Sequence, residues 1–296
     1  MENITMTIFR PQQAPKAVVE IIHGMAEHRK RYEDFANYLK AHNYVVVTFD
    51  LPGHGEATKE SDLGYFGETQ GWNRLLQAVD QVCEELKKEY PNIPFYLFGH
   101  SMGSMLARCY LQQHDDKLDG LILSGAPNYQ SATKLGILVG KLLKLFKGSK
   151  GHSSLMDGLV TGGFNKVVSN PKTPYDWISY NPENVKKYAA DARCGFGFTL
   201  QGYIDELSGL DQLHQSNLYQ CKKKDLPILF IVGEDDPCTG GEKGLADSIG
   251  TLKEAGYQQI EKKLYPDMRH EILNEVNHER VYEDTLNWLD AQVGKI

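Results

Sequence analysis

The chain has 296 residues, a formal net charge of −7 and a mean hydropathy of −0.44. This length suits one large α/β domain with an insertion, or two modest domains. The acidic balance argues against a nucleic-acid partner, because proteins that bind nucleic acid present a basic face. No basic segment followed by an apolar core opens the chain, and no window reaches the ~18 apolar residues of a membrane span. We therefore expect neither a signal peptide nor a transmembrane helix.

Apolar, β-branched runs alternate along the chain with segments of helical periodicity. Near-continuous apolar strands between amphipathic helices indicate an α/β fold with a mostly parallel central sheet and helices on both faces. The predicted strands are Ala17–Ile22, Tyr44–Phe49 and residues 95–98, 118–123, 226–232 and 258–265. The clearest helical patterns cover residues 32–42, 72–90 and about 271–293.

The alternation breaks between residues 128 and 214. This stretch has several helix-like pieces, no convincing buried strand and frequent glycine or proline. Because α/β proteins bind ligands at the carboxyl ends of their strands, we expect the insertion to lie there as a helical cap. The predicted organisation is a core of residues 1–127 and 215–296 with a cap or lid at 128–214.

The five cysteines are scattered and form no Cys-x-x-Cys pair. An odd number of dispersed cysteines argues against a disulfide framework and against a zinc site. We therefore expect reduced thiols, no metal and a cytoplasmic location.

The most informative motif lies at residues 95–105. An apolar run ends in Gly99-x-Ser101-x-Gly103 and passes directly into a helical pattern. A strand, a sharp turn and a helix around a serine form a nucleophile elbow, and glycines flank the serine because the turn is too tight for a Cβ. The strain holds the hydroxyl of Ser101 at the top of the sheet, beside the amides that open the helix. Ser101 is therefore the predicted nucleophile.

A serine nucleophile needs a base that takes its proton and an acid that orients the base. In this fold they follow in the order serine, acid, histidine, each in a loop after a strand. The acid is expected after the strand at 226–232. Asp236 is the first choice because Pro237 favours an extended backbone there, and Asp235 is the alternative. The predicted base is His270, which follows the last strand and precedes the last helix.

Two main-chain amides complete the predicted site as an oxyanion hole. One donor is the amide of Met102, directly after the nucleophile, and the other is the amide of Met25, in the loop after an early strand. Each such donor typically contributes ~3 kcal/mol of transition-state stabilisation. The neighbouring His23, His54 and His100 are expected to hold loops by hydrogen bonds.

With these motifs the chain resembles the α/β-hydrolase superfamily. Within that superfamily it is most similar to the monoglyceride lipase and lysophospholipase branch, which is grouped with the S33 serine aminopeptidases. The strings that carry the resemblance are His23-Gly24-Met25-x-Glu27-His28-x-x-Arg31-Tyr32, Asp50-x-x-Gly53-His54-Gly55, Gly99-His100-Ser101-Met102-Gly103-Ser104, Gly233-x-x-Asp236-Pro237 and His270-Glu271-x-x-Asn274-Glu275. The resemblance covers nearly the whole chain. It implies a triad of Ser101, Asp236 and His270, the oxyanion donors Met25 and Met102, and no metal or organic cofactor.

By this resemblance the chain is a serine hydrolase that cleaves the ester of a single-chain lipid, a monoacylglycerol or a lysophospholipid, through an acyl-enzyme. Short-chain or xenobiotic esters and peptide amides are alternative substrates, because fold and motif do not fix the substrate. The chain departs from the family pattern at Ala192-Arg193, which bears on the pocket lining of the cap. A ligand-binding protein without catalysis is a further alternative, and the intact set of site residues disfavours it.

Two charged residues follow the oxyanion turn. Glu27 and Arg31 are candidate substrate-binding residues at the polar end of the pocket. The alternative is a structural salt bridge that holds the loop.

The spacing of apolar residues and lysines over residues 134–147 predicts an amphipathic lid helix. On a helical period its leucines gather on one side with Val139 and Phe146, while four lysines gather on the other. An apolar face backed by lysines is typical of a helix on an anionic surface, so one role is peripheral contact with a membrane or micelle. The other role is that the face packs over the acyl pocket while the lysines meet water.

Overall fold

A seven-stranded sheet forms the centre of the described chain, residues 4–295 of the computed structural model. The strands are β1 (Met6–Phe9), β2 (Ala17–Ile22), β3 (Tyr44–Phe49), β4 (Phe95–His100), β5 (Gly120–Ser124), β6 (Ile228–Gly233) and β7 (Ile260–Tyr265). Their order is β1-β3-β2-β4-β5-β6-β7, and neighbours are parallel except for β1 with β3. The expected mostly parallel sheet is confirmed. The antiparallel edge strand β1 was not predicted.

Helices cover both faces of this sheet. Those of the core are α1 (Glu33–Ala41), α2 (Gly71–Glu89), α3 (Met102–His114), α8 (Gly241–Ala255) and α9 (Glu279–Val293). Helices α1 and α9 pack on one face, while α2, α3 and α8 pack on the other. Strands β2, β3 and β4 are therefore enclosed from both sides and every residue in them is buried. This burial explains why they form continuous apolar runs rather than alternating ones.

The segment between β5 and β6 contains four further described helices. They are α4 (Thr133–Lys147), α5 (Ser154–Val160), α6 (Pro182–Ala190) and α7 (Leu200–Leu213). Helices α4 and α7 are packed closely, since a Cβ on Gly140 would lie 2.9 Å from Ile204. Helix α7 also touches the core, where Cys109 Sγ donates to the carbonyl of Gly209 at 3.6 Å. Within residues 4–295, no helix has the length and apolar character needed to cross a membrane.

The terminal helix begins at Glu279 rather than near Glu271, so the predicted start was wrong. The buried side chains of Glu271 and Glu275 both accept hydrogen bonds from the segment between β5 and β6. These contacts hold residues 271–275 as a loop with one 3₁₀ turn, because tertiary contacts outweigh helical propensity. His278, which was expected inside the helix, lies just before its first residue.

Candidate active site

Ser101 lies at a sharp turn between β4, which ends at His100, and α3, which begins at Met102. Its backbone is strained, with φ 52° and ψ −121°, a conformation that typically costs about 1–3 kcal/mol. The flanking glycines are required by packing. A Cβ on Gly99 would collide with the carbonyl of Gly103, and a Cβ on Gly103 would collide with the backbone of β2. The turn therefore has the geometry of the predicted nucleophile elbow.

Asp236 and His270, which follow β6 and β7, meet at the carboxyl ends of the strands. His270 Nδ1 lies 2.9 Å from Asp236 Oδ2, and both side chains are buried. The other oxygen of Asp236 accepts from the amide of Cys238 at 2.9 Å, which fixes the orientation of the carboxylate. Asp235 is instead exposed and accepts from the hydroxyl of Tyr180 at 3.0 Å. This arrangement favours Asp236 over Asp235 as the acid.

Gly125 makes room for this pair, a role that no pattern in the sequence indicated. Its φ is +53°, and a Cβ there would lie 2.9 Å from His270 Nδ1 and 3.2 Å from Asp236 Oδ2. A side chain at this position would separate the acid from the base. The position follows β5, next to the strand that ends in the serine turn.

Two aromatic rings flank His270. The ring of His100 is 4.6 Å from it, and the ring of Trp177, from the segment between β5 and β6, is 5.0 Å away. Burial lowers the pKa of His100 to about 3, so this ring is neutral and adds no charge to the site. Burial also disfavours the charged form of His270, but the facing Asp236 carboxylate outweighs it. The pKa of His270 therefore lies well above its usual value.

Two histidines hold the turn at residues 24–26, called the oxyanion turn below. His23 Nε2 accepts from the amide of Leu51 at 3.0 Å, so its Nδ1 donates to the carbonyl of Gly24 at 2.8 Å. Because the peptide is planar and trans, fixing the Gly24 carbonyl also fixes the direction of the Met25 N–H. His54 Nε2 accepts from the amide of Ala26 at 3.3 Å. Both histidines therefore have the loop-holding contacts expected of them.

The two predicted oxyanion donors lie beside the serine. A Cβ on Gly24 would be 3.1 Å from the Ser101 Cβ, which shows how closely the oxyanion turn approaches the nucleophile. Among the main-chain hydrogen bonds of turns, loops and helix caps in residues 4–295, none has the amide of Met25 or Met102 as its donor. Their role as an oxyanion hole remains a prediction that this geometry supports.

Glu27 and Arg31 belong to a buried ion network. Glu27 accepts from the amide of Gly24 and lies 3.1 Å from Arg31 Nε. The Arg31 guanidinium also pairs with Glu271 and donates to Asn184 Oδ1 at 3.2 Å. Burial alone would raise the pKa of Glu27, yet the paired Arg31 cation brings it below its usual value. Burial keeps the pKa of Glu271 raised despite Arg31.

The side chains of Glu27 and Arg31 are only 4% and 10% exposed. Neither residue lines the cavity of about 490 Å³ that Met25 borders. Their placement favours the structural salt bridge over direct contact with substrate. Glu271 and Asn184, which sequence reasoning missed, complete the network. The available signals were the adjacency of Glu271 to His270 and its place in the string His270-Glu271-x-x-Asn274-Glu275.

A cavity of about 490 Å³ opens between the oxyanion turn and the segment between β5 and β6. Its walls are mostly aromatic rings and small residues, with no lysine or arginine among the described residues that form them. The lining residues are Met25, Ala26, Asp157, Thr161, Gly162, Asn165, Pro174, Tyr175, Trp177, Tyr188, Gly195, Phe196, Gly197 and Tyr203. Because Met25 and Trp177 both border it, the cavity adjoins the predicted chemistry.

Two groups of side chains among residues 4–295 have the spacing of metal ligands. One consists of Asp236, Cys238 and His270, whose acid and base already pair with each other. The other consists of His28, Asp191 and Cys194, and there the Arg31 guanidinium lies 4.0 Å from the Cys194 sulfur. That cation opposes a second positive charge. The prediction that the protein holds no metal remains a prediction.

Comparisons with known proteins agree with this fold. A model of the family described as serine aminopeptidase, S33, matches residues 13–277. Phospholipase YtpA from Bacillus subtilis is 33% identical over 283 residues, covering 94% of this chain and 97% of the relative. Human monoglyceride lipase is 26% identical over 281 residues, covering 91% of this chain and 84% of the relative. A thermostable carboxyl esterase from Bacillus coagulans, solved in complex with glycerol, superposes with a TM-score of 0.90 at 27% identity, covering 98% of this chain and 94% of that chain.

The sheet order, the serine turn and the agreement with the esterase structure define the chain as an α/β-hydrolase. Within that class, the match over residues 13–277 shows that it belongs to the serine aminopeptidase S33 family. The expected superfamily and branch are thereby confirmed.

We predict that Asp236→Asn lowers kcat by several orders of magnitude, because the amide favours the wrong tautomer of His270. Removing the carboxylate also removes what raises the pKa of His270. The acidic limb of the kcat/KM profile, set by protonation of the base, should lie above pH 6.5 in the wild type and move to lower pH in Asp236→Asn. Asp235→Asn is the matched control and should leave both quantities nearly unchanged. Equal, small losses in the two variants would place the acid elsewhere.

We also predict that Arg31→Ala lowers the free energy of unfolding by about 3–5 kcal/mol, because it leaves Glu27 and Glu271 buried without a cation. Urea denaturation measures this. Lys30→Ala is the control, since Lys30 pairs with Glu56 at the surface and such a pair contributes about 0–1 kcal/mol. A loss of less than 1 kcal/mol in Arg31→Ala would show that the network does not stabilise the fold.

Proposed function

We propose that this protein hydrolyses the carboxylic ester of single-chain lipids through an acyl-enzyme. Ser101 attacks the acyl carbonyl while His270 takes its proton, and Asp236 holds the imidazole in the required tautomer. The oxyanion is stabilised by the amides of Met25 and Met102. His270 then protonates the leaving alcohol. A water molecule, deprotonated by His270, attacks the acyl-serine and releases the fatty acid.

The observation that carries this proposal is the buried Asp236–His270 pair beside a strained serine turn. A carboxylate that holds one imidazole nitrogen leaves the other free to serve as a base. The ester-cleaving activities in the names of similar proteins, which include monoglyceride lipases and a carboxyl esterase, support the same chemistry.

The cavity lining favours a neutral head group. A lysophospholipid carries a phosphate, which proteins usually bind with arginine, lysine or a helix N-terminus. Asp157 is the one charged residue among the described lining residues, and it would repel a phosphate. The hydroxyl groups of a glycerol head can instead donate to such a carboxylate. We therefore propose monoacylglycerol as the preferred substrate class.

Lysophospholipid is the second candidate, favoured by the 33% identity to a phospholipase. Short-chain esters remain the third, supported by the likeness to the Bacillus coagulans esterase. The three differ in head group and chain length, so a single panel of substrates separates them.

The test is hydrolysis of monoacylglycerol, lysophosphatidylcholine, p-nitrophenyl esters of rising chain length and an aminoacyl-naphthylamide, by the wild type and by Ser101→Ala. Monoacylglycerol should give the highest kcat/KM. Ser101→Ala should lose several orders of magnitude in rate and its labelling by a fluorophosphonate, because it lacks the nucleophile. Activity or labelling that survives Ser101→Ala would overturn the proposed mechanism. A higher kcat/KM on lysophosphatidylcholine would overturn the head-group assignment alone.

We further propose that residues 128–214 act as a cap over the site, called the cap segment below. Its Trp177 lies against His270 and its residues form most of the cavity wall. The free state of all five cysteines supports a cytoplasmic location, which we also propose.

Helix α4 of the cap segment presents an apolar face to solvent. Val139 and Leu143 pack towards the core, and Lys144 donates to Gln201 at 2.6 Å. The opposite side is exposed, and on it Leu145 is 78% and Phe146 87% exposed. The other exposed apolar residues of this face are Leu135, Leu138 and Leu142. Only part of the apolar side of α4 therefore packs against the rest of the protein. Lys134 and Lys141 lie next to its exposed apolar face. This arrangement favours peripheral contact with an anionic lipid surface.

We predict that Leu145→Glu weakens binding to anionic vesicles and lowers activity on dispersed monoacylglycerol, because it places a negative charge on the lipid-facing side. Hydrolysis of a soluble short-chain ester should stay nearly intact. Val276→Glu is the control, since Val276 is also well exposed but lies outside the cap segment. If vesicle binding is absent in the wild type, or if both activities fall together, α4 is only part of the cap.

A further inference from the structure

We propose that Tyr188, in α6 of the cap segment, is a positioning residue for the oxyanion hole. Its hydroxyl holds the oxyanion turn, so the hole is complete only when the cap segment is seated. The inference rests on the proposed function, in which the Met25 amide is an oxyanion donor. It assigns to the cap a part in the chemical step as well as in enclosing the substrate.

The backbone of Ala26 is strained. This residue is buried and has a φ of +49°, in the left-handed region that alanine rarely occupies. Such a conformation persists only where surrounding contacts over-determine it. The contacts that hold Ala26 therefore decide the shape of the oxyanion turn.

Both main-chain groups of Ala26 are engaged, from two different parts of the fold. Its amide donates to His54 of the core at 3.3 Å. Its carbonyl accepts from the hydroxyl of Tyr188 at 3.1 Å and from the amide of Gly195 at 2.9 Å. Both of these donors belong to the cap segment. Without them, the bond to His54 would be the one of these three hydrogen bonds that still holds the main chain of Ala26.

Relaxation of Ala26 would disturb the neighbouring oxyanion donor. A right-handed conformation near φ −60° is about 110° from the observed value, and reaching it would redirect the chain on either side of Ala26. The Met25 amide is one residue away, and its direction matters because a donor stabilises the oxyanion only at hydrogen-bond distance. The expected effect is therefore on the transition state rather than on substrate binding.

Tyr188 is itself fixed in place. The guanidinium of Arg31 lies over its ring at 4.7 Å, and Arg31 is held by Glu27 and Glu271. Burial raises the pKa of Tyr188 well above its ordinary value, so the hydroxyl keeps the proton that it donates. The ring is thus anchored independently of the hydrogen bond, and Tyr188→Phe removes the bond while it keeps the packing.

The test is Tyr188→Phe, assayed on a soluble short-chain ester, with rates expressed per active site titrated by fluorophosphonate. The titration counts only folded sites, so a partly unfolded sample does not distort the result. We expect kcat to fall up to about tenfold, the effect of one neutral hydrogen bond, while KM stays within about twofold. The affinity for a trifluoromethyl ketone, which forms an oxyanion with Ser101, should fall by the same factor. The affinity for the matching unreactive alkyl ketone should not change.

Tyr219→Phe is the matched control. Tyr219 is equally buried, and its hydroxyl donates to the carbonyl of Leu213 at 2.8 Å, away from the oxyanion turn. Three results would overturn the proposal: unchanged kcat in Tyr188→Phe, a rise in KM alone with unchanged ketone affinity, or an equal loss in Tyr219→Phe. Each of these results is interpretable only when the wild-type enzyme hydrolyses the ester at Ser101. The proposed function fails separately, if Ser101→Ala keeps its activity.

Discussion

The ion network around Arg31 is the interaction on which the site geometry depends. One guanidinium lies between two buried carboxylates, of which Glu27 reaches the oxyanion turn and Glu271 directly follows His270, the predicted base. The same guanidinium contacts Asn184 and Tyr188 of the cap segment. A buried charge is stable only when it is paired and hydrogen-bonded, so these groups have little freedom to separate. The network thus joins the oxyanion turn, the loop that carries His270 and the cap segment.

Close backbone packing is the second constraint on the site. Gly103 presses against β2 so that the serine turn stands beside the oxyanion turn, and Gly125 leaves the space that the Asp236–His270 pair fills. Neither position tolerates a Cβ without movement of its neighbours. The geometry of the candidate site therefore depends on positions without side chains as much as on the side chains proposed to react.

Local patterns in the sequence were enough to predict most of the fold and to bring together the residues of the candidate site. Ser101 stands out because its glycines, strand and helix are contiguous, and Asp236 and His270 follow from chain order. Gly125 and Asn184 could not be found this way, since their roles arise from contacts with residues far along the chain, as in the pair Arg31–Asn184, 153 positions apart. The helical period of α4 likewise predicted an apolar side but not which part of it α7 and the core would cover.

The most direct test of the central claim is the mass of the acylated enzyme after rapid mixing with monoacylglycerol and acid quench. The proposed mechanism predicts a protein heavier by the mass of the fatty acid minus one water, with the added mass on the peptide that contains Ser101. The same experiment with Ser101→Ala should give the unmodified mass. An acyl group on another residue, or turnover without any acylated protein under conditions that trap the intermediate of a known serine esterase, would contradict it.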